Sequence, residues 1–158
     1  MTDDKAELDR VIAQEQTIEL SRFSNADAWW LGCELHRLAD ERSAPVAIEI
    51  VRGGTTLFSA LLPGATADNQ GWICRKFAVT RRFEQSSYAI NLKLRSGDNL
   101  FERFGLDLRT YAAAGGAVPI RVAGTGMVGA AAISGLPQAE DHEMVVAALR
   151  ALKAQQGA

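Results

Sequence analysis

Residues 118–129 read VPIRVAGTGMVG, so a G-x-G-x-x-G pattern formed by Gly124, Gly126 and Gly129 follows a strand-like run. A dinucleotide-binding fingerprint of this form needs a helix that opens at the glycines, then a second parallel strand that ends in an acidic residue. Here the chain continues with AAAISGLP at 130–137, and no strand-like run follows. We therefore predict a β-hairpin with a glycine-rich turn instead of a cofactor loop.

A second hairpin is predicted on either side of the pair Gly53-Gly54, because both central positions of a type I′ turn need positive φ. Its strands are residues 46–52 and 55–61, and residues 17–20 form a short fifth strand. Antiparallel hairpins among amphipathic helices predict an α+β fold with a five-stranded, mostly antiparallel sheet flanked by helices. Helical patterns cover residues 5–15, 24–40, 69–94 (with a weak point at 86–87), 100–111 (as a helix or two short turns) and 138–154.

The composition is that of a globular chain with one domain over residues 1–158. Apolar residues make up 47% and charged residues 23% of the sequence, as in ordinary folded proteins. The net charge of −2 gives no long-range attraction to nucleic acid or to anionic membranes. Residues 1–4 include Asp3 and Asp4 and do not resemble the start of a signal peptide. No apolar run is long enough to span a bilayer. We expect a cytoplasmic protein that binds neither nucleic acid nor membrane.

A set of short landmarks spread over about residues 15–152 resembles the heme-degrading domain family, a poorly characterised cytoplasmic branch related to the GlcG and HbpS-like proteins. The resemblance implies a profilin-like α-β-α fold and a homo-oligomer built from dimers. It also implies heme binding or breakdown, and binding of a partner protein as in a eukaryotic member of the branch. The landmarks are LPG at 62–64, DN at 68–69, WI at 72–73, RK at 75–76, RF at 82–83, SSY at 86–88, GGAVPI at 115–120, GTG at 124–126, SGLP at 134–137 and DHE at 141–143.

His142 is the first candidate for a binding residue. The apolar stripe of the last helix places it on the inner face, and the positive end of the helix dipole favours a neutral imidazole, which can bind a metal or a ligand. If heme binds, we expect His142 at or near the iron. The structural alternative is that His142 bonds a loop carbonyl and holds residues 134–137 in place. The neighbouring Glu140, Asp141 and Glu143 are expected to be solvated.

Arg75 and Lys76 form a basic pair beside aromatic residues, as do Arg81 and Arg82. Cations next to aromatic rings can bind carboxylate or phosphate ligands, including the propionates of a porphyrin. The alternative is a solvated face or ion pairs between subunits. Gly126 and Gly129, which precede a run of alanines, leave room for a ligand to approach the sheet closely.

Neither the thiols nor the second histidine points to a catalytic or metal site. Cys33 and Cys74 are far apart and are expected to be buried, reduced thiols. His36 lies one helical turn from Cys33, but zinc needs three or four protein ligands, so packing is the expected role. No nucleophile elbow or other catalytic constellation is recognisable.

These observations favour a non-enzymatic homo-oligomer that binds a small anionic ligand, with heme as the named cofactor candidate. Two alternatives stay open, a protein-interaction or assembly factor and an enzyme of small-molecule metabolism. An oligomer of at least two copies is expected because a chain of this size has limited interior to bury Trp29, Trp30 and Leu31 on one wide helix face. A shape-complementary pocket that contains His142 would favour ligand binding, and a dry core in which a loop carbonyl holds His142 would favour the interaction protein.

Overall fold

The computed structural model describes residues 2–95 and 97–157, so Met1, Ser96 and Ala158 of the expected domain lie outside the described residues. Four strands form one sheet in the order β2-β1-β4-β3, and all neighbours are antiparallel. Among the described helices, none is long and apolar enough to cross a membrane. The elements are α1 (Thr2–Gln16), α2 (Asn25–Glu41), β1 (Ala47–Arg52), β2 (Thr55–Leu61), α3 (Ala67–Phe83), α4 (Ser87–Leu94), α5 (Leu100–Phe104), β3 (Ala117–Val122), β4 (Gly126–Ser134) and α6 (Gln138–Gly157).

The α+β class and the α-β-α arrangement are confirmed, but the sheet has four strands in the described part of the chain, not five. The expected strand at 17–20 is reduced to a single parallel bridge between Leu20 and Val122. The chain leaves the sheet directly after this bridge to reach Ser24, the N-cap of α2, so no second pair of residues can join the ladder.

The glycine-rich segment is a hairpin turn, as predicted. Strands β3 and β4 pair around residues 123–125, and the Thr125 N–H donates to the Val122 carbonyl at 3.0 Å. Gly124 and Gly126 have φ values of +77° and +99°, and residues other than glycine rarely adopt such values. No helix opens at these glycines, so the dinucleotide fingerprint is excluded on structural grounds.

The two faces of the sheet differ in the size of their side chains. On one face, the larger side chains of Ile48, Ile50 and Ile133 pack against α2 and α6. On the other face, Ala130 and Ala132 pack against α3. Because alanine occupies little volume, the backbone of α3 can approach β4 closely, and this brings polar side chains of α3 near the end of β4.

The long helix expected at 69–94 is two helices. Helix α3 ends at Phe83, because its C-cap Glu84 has a φ of +52°. Ser86 is the N-cap of α4 and accepts a hydrogen bond from the Ala89 N–H. The carboxylate of Glu15 accepts hydrogen bonds from the Ser86 N–H and hydroxyl at 2.9 and 3.1 Å. Side-chain acceptors at this break offer the backbone an alternative to continuing the helix.

The expected burial of Cys33 and Cys74 and the expected packing role of His36 were wrong, because all three side chains are exposed. The buried stripe of α2 runs through Leu31 and Leu35. Cys33 is two residues from both Leu31 and Leu35, so its side chain points to the opposite, exposed side of the helix.

Candidate functional site

A buried ion pair lies where α3 meets the start of α6. Lys76 is only 3% exposed, because it lies on the buried face of α3 together with the apolar residues Ile73 and Phe77. Its Nζ donates to the Ile133 carbonyl at 3.3 Å and to Asp141 Oδ2 at 3.4 Å. The first of these contacts ties α3 to β4, and the second ties it to α6.

Asp141 is buried and not solvated, which corrects the expectation from the sequence. It lies in the first turn of α6, and its carboxylate accepts hydrogen bonds from the Leu136 N–H at 3.0 Å and the Gly135 N–H at 3.3 Å. Burial raises the pKa of Asp141 to about 6, against the opposing effects of Lys76 and of these two N–H groups. Burial also lowers the pKa of Lys76, against the attraction of Asp141.

The pair Gly115-Gly116 allows the chain to pass over this ion pair. Gly116 has a φ of +140°, and a Cβ atom there would lie 2.8 Å from Lys76 Nζ and 2.3 Å from the Ile133 carbonyl oxygen. The Gly115 N–H donates to Gln138 Oε1 at 2.8 Å, which joins the loop to the first turn of α6. A side chain at residue 116 would therefore displace either the amine or the strand.

The ion pair opens into a hollow of about 260 Å³, which we call the Lys76 depression. Its polar lining includes two carboxylates, two amides, one amine and the hydroxyl of Ser134. The lining residues are Asp68, Asn69, Trp72, Lys76, Ala114, Ser134, Gly135, Leu136, Gln138 and Asp141.

A larger hollow of about 410 Å³, the Trp72 cavity, shares Trp72 and Ala114 with the Lys76 depression. The Arg75 guanidinium lies 4.0 Å from the centre of the Trp72 ring, within the range of a cation–π contact. Arg95 lines the same cavity and is bonded to Asn91 and Asp4. The remaining walls are mainly apolar and include Leu94, Leu100, Leu108, Tyr111 and the alanines 112–114.

His142 faces the inside of the protein, and its side chain is 0% exposed. Its Nε2 lies 2.8 Å from Gln14 Oε1, while Gln14 Nε2 donates to Glu143 Oε2 at 2.9 Å. The bond to Glu143 orients the amide, so Nε2 carries the proton of His142. Nδ1 is a buried atom that has no hydrogen-bond partner among the described residues. Burial lowers the pKa of His142 to about 4. The partner is therefore a side chain of α1, and not the loop carbonyl that we considered.

The sequence-predicted site residues fall into separate regions. Arg75 and Lys76 lie side by side on α3 and line the two neighbouring hollows. Gly129 lines a different hollow of about 290 Å³ together with Val51, Arg81 and Met127, and Gly126 is exposed at the tip of the hairpin. His142 lines none of these three hollows. The ligand-binding roles of His142, Gly126 and Gly129 stay predictions.

Sequence reasoning missed Asp141 as a site residue, although the sequence contains a signal for it. The N–H groups at the start of a helix and just before it need acceptors, and Gly135-Leu136-Pro137 precedes α6 directly. An aspartate in the first turn is the natural acceptor for them. The same reasoning does not reveal Lys76 as the ion-pair partner, because the two residues are 65 positions apart.

The chain is similar to a known protein family, to several of its members and to solved structures. The family model described as haem degrading protein HbpS-like matches residues 23–150. A UPF0303 protein of Streptomyces coelicolor is 50% identical over 137 residues, which are 86% of this chain and 87% of that protein. The crystal structure of the Ybr137w protein has a TM-score of 0.90 at 33% identity and covers 96% of this chain and 90% of that one.

A solved PduOC–heme complex has the same fold, with a TM-score of 0.69 at 18% identity over 82% of this chain and 94% of that chain. The family model matches most of the chain, and the Streptomyces relative is 50% identical to it over 86% of its length. The chain therefore belongs to the family of HbpS-like haem-degrading proteins.

Proposed function

We propose that the protein binds a small, flat, anionic ligand in the Trp72 cavity, with heme as the named candidate, and that it does so without chemical turnover. The observation that carries this proposal is the Arg75 guanidinium stacked on Trp72 at the edge of a mainly apolar hollow. The family membership and the heme bound in the solved PduOC complex support the choice of candidate.

The chemistry of the cavity suits such a ligand. Ligand sites typically occupy about 300–1,000 Å³ and combine apolar walls with a few polar groups, and the Trp72 cavity of about 410 Å³ has this composition. The apolar walls would cover a flat ring system. Arg75 and Arg95 would pair with its carboxylates, since guanidinium groups bind carboxylates through charge-assisted hydrogen bonds.

In this proposal the protein recognises the ring and its carboxylates, and iron binding by His142 stays a separate prediction. His142 Nε2 is bonded to Gln14, so an iron could reach it only if Gln14 and its helix α1 moved away. The two contributions can be separated by mutation, because Arg75 and His142 lie on different helices and share no contact in the described structure.

A hemin titration followed in the Soret band tests the proposal. Removal of one charge-assisted contact costs about 1.5–3 kcal/mol, so we expect Arg75→Ala to weaken binding roughly tenfold or more. Arg150→Ala is the matched control, because Arg150 is exposed on α6. It should bind hemin like the wild-type protein.

Three results of this titration would count against parts of the proposal. No saturable Soret change in the wild-type protein would remove heme as the ligand. An unchanged affinity in Arg75→Ala would remove the Trp72 cavity as its site. A changed Soret spectrum in folded His142→Ala, with Arg75→Ala unaffected, would move the site to His142.

We also propose that the protein is a homo-oligomer of at least two copies. Trp29 is 65% exposed and packs on Phe58 with ring centroids 5.6 Å apart. An exposed aromatic ring that packs on a half-buried one is typical of protein contacts, and it equally suits the alternative of a partner protein.

Static light scattering at micromolar concentration should return at least twice the chain mass of 17.0 kDa. We expect Trp29→Glu to shift the equilibrium toward the monomer, because a charge at an apolar contact lacks a partner. Ala147→Glu, a change at an exposed position of the different helix α6, is the control for added charge. A monomer mass for the wild-type protein would contradict the proposal.

A further inference from the structure

We infer that Lys76 is a reactive amine, and that the Lys76 depression binds a small uncharged carbonyl compound, such as a short hydroxyaldehyde, as an imine of Lys76. This inference does not depend on the Trp72 cavity binding a ligand. It rests on how the Lys76 amine is held, on the position of Asp141 and on the polar groups that line the depression.

The Lys76 amine is held loosely for a buried cation. Its two hydrogen bonds, at 3.3 and 3.4 Å, are longer than the usual N–H···O distance of about 2.9–3.0 Å. An ammonium group has three donors, and the described structure provides acceptors for only two of them. In this inference the third donor binds a group that enters the depression, which Lys76 lines.

Asp141 is placed to move the protons that imine formation requires. The Oδ2 atom of Asp141 accepts the hydrogen bond from Lys76 Nζ. Asp141 is also one of the residues that line the depression. The shifts in pKa described above bring the two groups closer in proton affinity, so a proton can pass between them at moderate cost. The geometry is the primary argument, and the direction of these shifts agrees with it.

The proposed reaction balances without any further reactant. The Lys76 ammonium gives a proton to the Asp141 carboxylate, and the amine nitrogen forms a bond to the carbonyl carbon. The carbonyl oxygen receives a proton from the nitrogen, which gives a carbinolamine. The Asp141 carboxyl then protonates the hydroxyl group, which leaves as water while the nitrogen lone pair forms the C=N bond. The protonated imine finally faces the Asp141 carboxylate, as the ammonium did before.

The lining of the depression indicates that the carbonyl compound is uncharged. Asp68 and Asp141 contribute carboxylates, which repel an anionic oxo acid. Asn69 Oδ1 accepts a hydrogen bond from the Thr66 N–H, and Gln138 Oε1 accepts one from the Gly115 N–H. The amide NH₂ groups of Asn69 and Gln138 are then the donors for a ligand oxygen, since amides donate through nitrogen.

The experiment is reductive trapping on the protein of residues 1–158. The protein is incubated at pH 7.5 with glycolaldehyde and sodium cyanoborohydride, and the modified lysines are identified by peptide mass mapping. Because the chain has only four lysines, the others serve as internal controls: Lys5 and Lys153 are exposed and Lys93 is half-buried. We expect Lys76 to be modified at least tenfold faster than each of them, with saturation at high aldehyde concentration.

Further arms test the residues and the ligand class. Asp141→Asn should slow trapping at Lys76 tenfold or more and leave Lys5 unchanged. If that variant does not fold, trapping of the wild-type protein at a series of pH values replaces it. Selectivity for Lys76 is then expected at pH 7.5 and should disappear as the pH falls below about 6, where a protonated Asp141 can no longer accept the proton of the Lys76 ammonium. Arg75→Ala should leave trapping unaffected, so that a failure of heme binding and a failure of this inference give different results.

Modification of the surface lysines with Lys76 unmodified, or equal rates at all four, would overturn the inference. Faster trapping at Lys76 with glyoxylate than with glycolaldehyde would overturn the assignment to an uncharged compound.

Discussion

Lys76→Met is expected to lower the free energy of unfolding by about 3–5 kcal/mol at pH 8, the usual cost of removing one partner of a buried ion pair. The Asp141 carboxylate would keep its charge in a buried position, and among the described residues only the N–H groups of Gly135 and Leu136 would compensate it. Methionine has a similar length and leaves no large cavity, so the loss reports on charge. Denaturant unfolding with an unchanged m-value measures it.

The same variant should recover much of this loss at pH 5. The folded-state pKa of Asp141 is already raised to about 6 by burial, and without Lys76 it should rise further. A carboxyl group with a raised folded-state pKa contributes stability that is present at low pH and lost as the pH rises through that pKa. The deficit of Lys76→Met should therefore be small at pH 5 and full at pH 8.

Lys5→Met is the control for this comparison, because Lys5 is exposed and pairs with the exposed Asp9 at 3.8 Å. Its effect should stay below about 1 kcal/mol at both pH values. An equal deficit for Lys76→Met at pH 5 and pH 8 would mean that packing around the lysine stem, and not the charge of Asp141, determines the loss.

The features that could be predicted from the sequence are those determined by neighbouring residues. The glycines at 124 and 126 require a turn because they adopt positive φ. The capping box of Ser24 and Asp27 starts α2 where the predicted helix of residues 24–40 begins. The prediction of a fifth strand at 17–20 was wrong, because in the described structure only Leu20 of this run pairs with the edge strand β3, at Val122. Whether a short run joins a sheet depends on where the chain goes next, which strand propensity does not report.

The candidate site could be predicted only in part, because it depends on how distant elements pack. The basic pair Arg75-Lys76 was identified, but adjacent residues on a helix face different directions, so Arg75 stacks on Trp72 while Lys76 is buried against Asp141. The burial of Lys76 follows from the small side chains of β4, which let α3 approach the sheet. That effect becomes visible only when both elements are in place.

Acidification is expected to destabilise the protein through His142, by roughly 3 kcal/mol between pH 7 and pH 4. The pKa of His142 is lowered from 6.5 to about 4 in the folded protein, and each unit of difference corresponds to about 1.36 kcal/mol. The unfolded chain takes up a proton near pH 6.5, whereas the folded protein does so only near pH 4. The stability that neutral His142 permits is therefore present above pH 6.5 and is lost as the pH falls toward 4.

The groups around His142 come from three helices, and the experiment must separate their titrations from its own. Gln14, Glu7 and Arg10 face it from α1, Tyr88 from α4 and Glu143 from its own helix. Asp141 acts in the opposite direction between pH 4 and 6, because its folded-state pKa is raised. The useful quantity is therefore the difference in pH dependence between the wild-type protein and His142→Leu, measured by denaturant unfolding, with His36→Leu as the exposed control.

We expect His142→Leu to be less stable than the wild-type protein at pH 7, because Gln14 Oε1 loses its donor, but to lose less stability on acidification. His36→Leu should follow the wild-type curve. If His142→Leu also follows it, the imidazole must take up its proton in the folded state near the ordinary pKa, which requires the ring to reach water. A ring that reaches water could also reach an iron, so this outcome would strengthen the prediction that His142 binds heme. The expected outcome instead assigns His142 to the contact between α1 and α6 and leaves ligand binding to the hollows around Trp72.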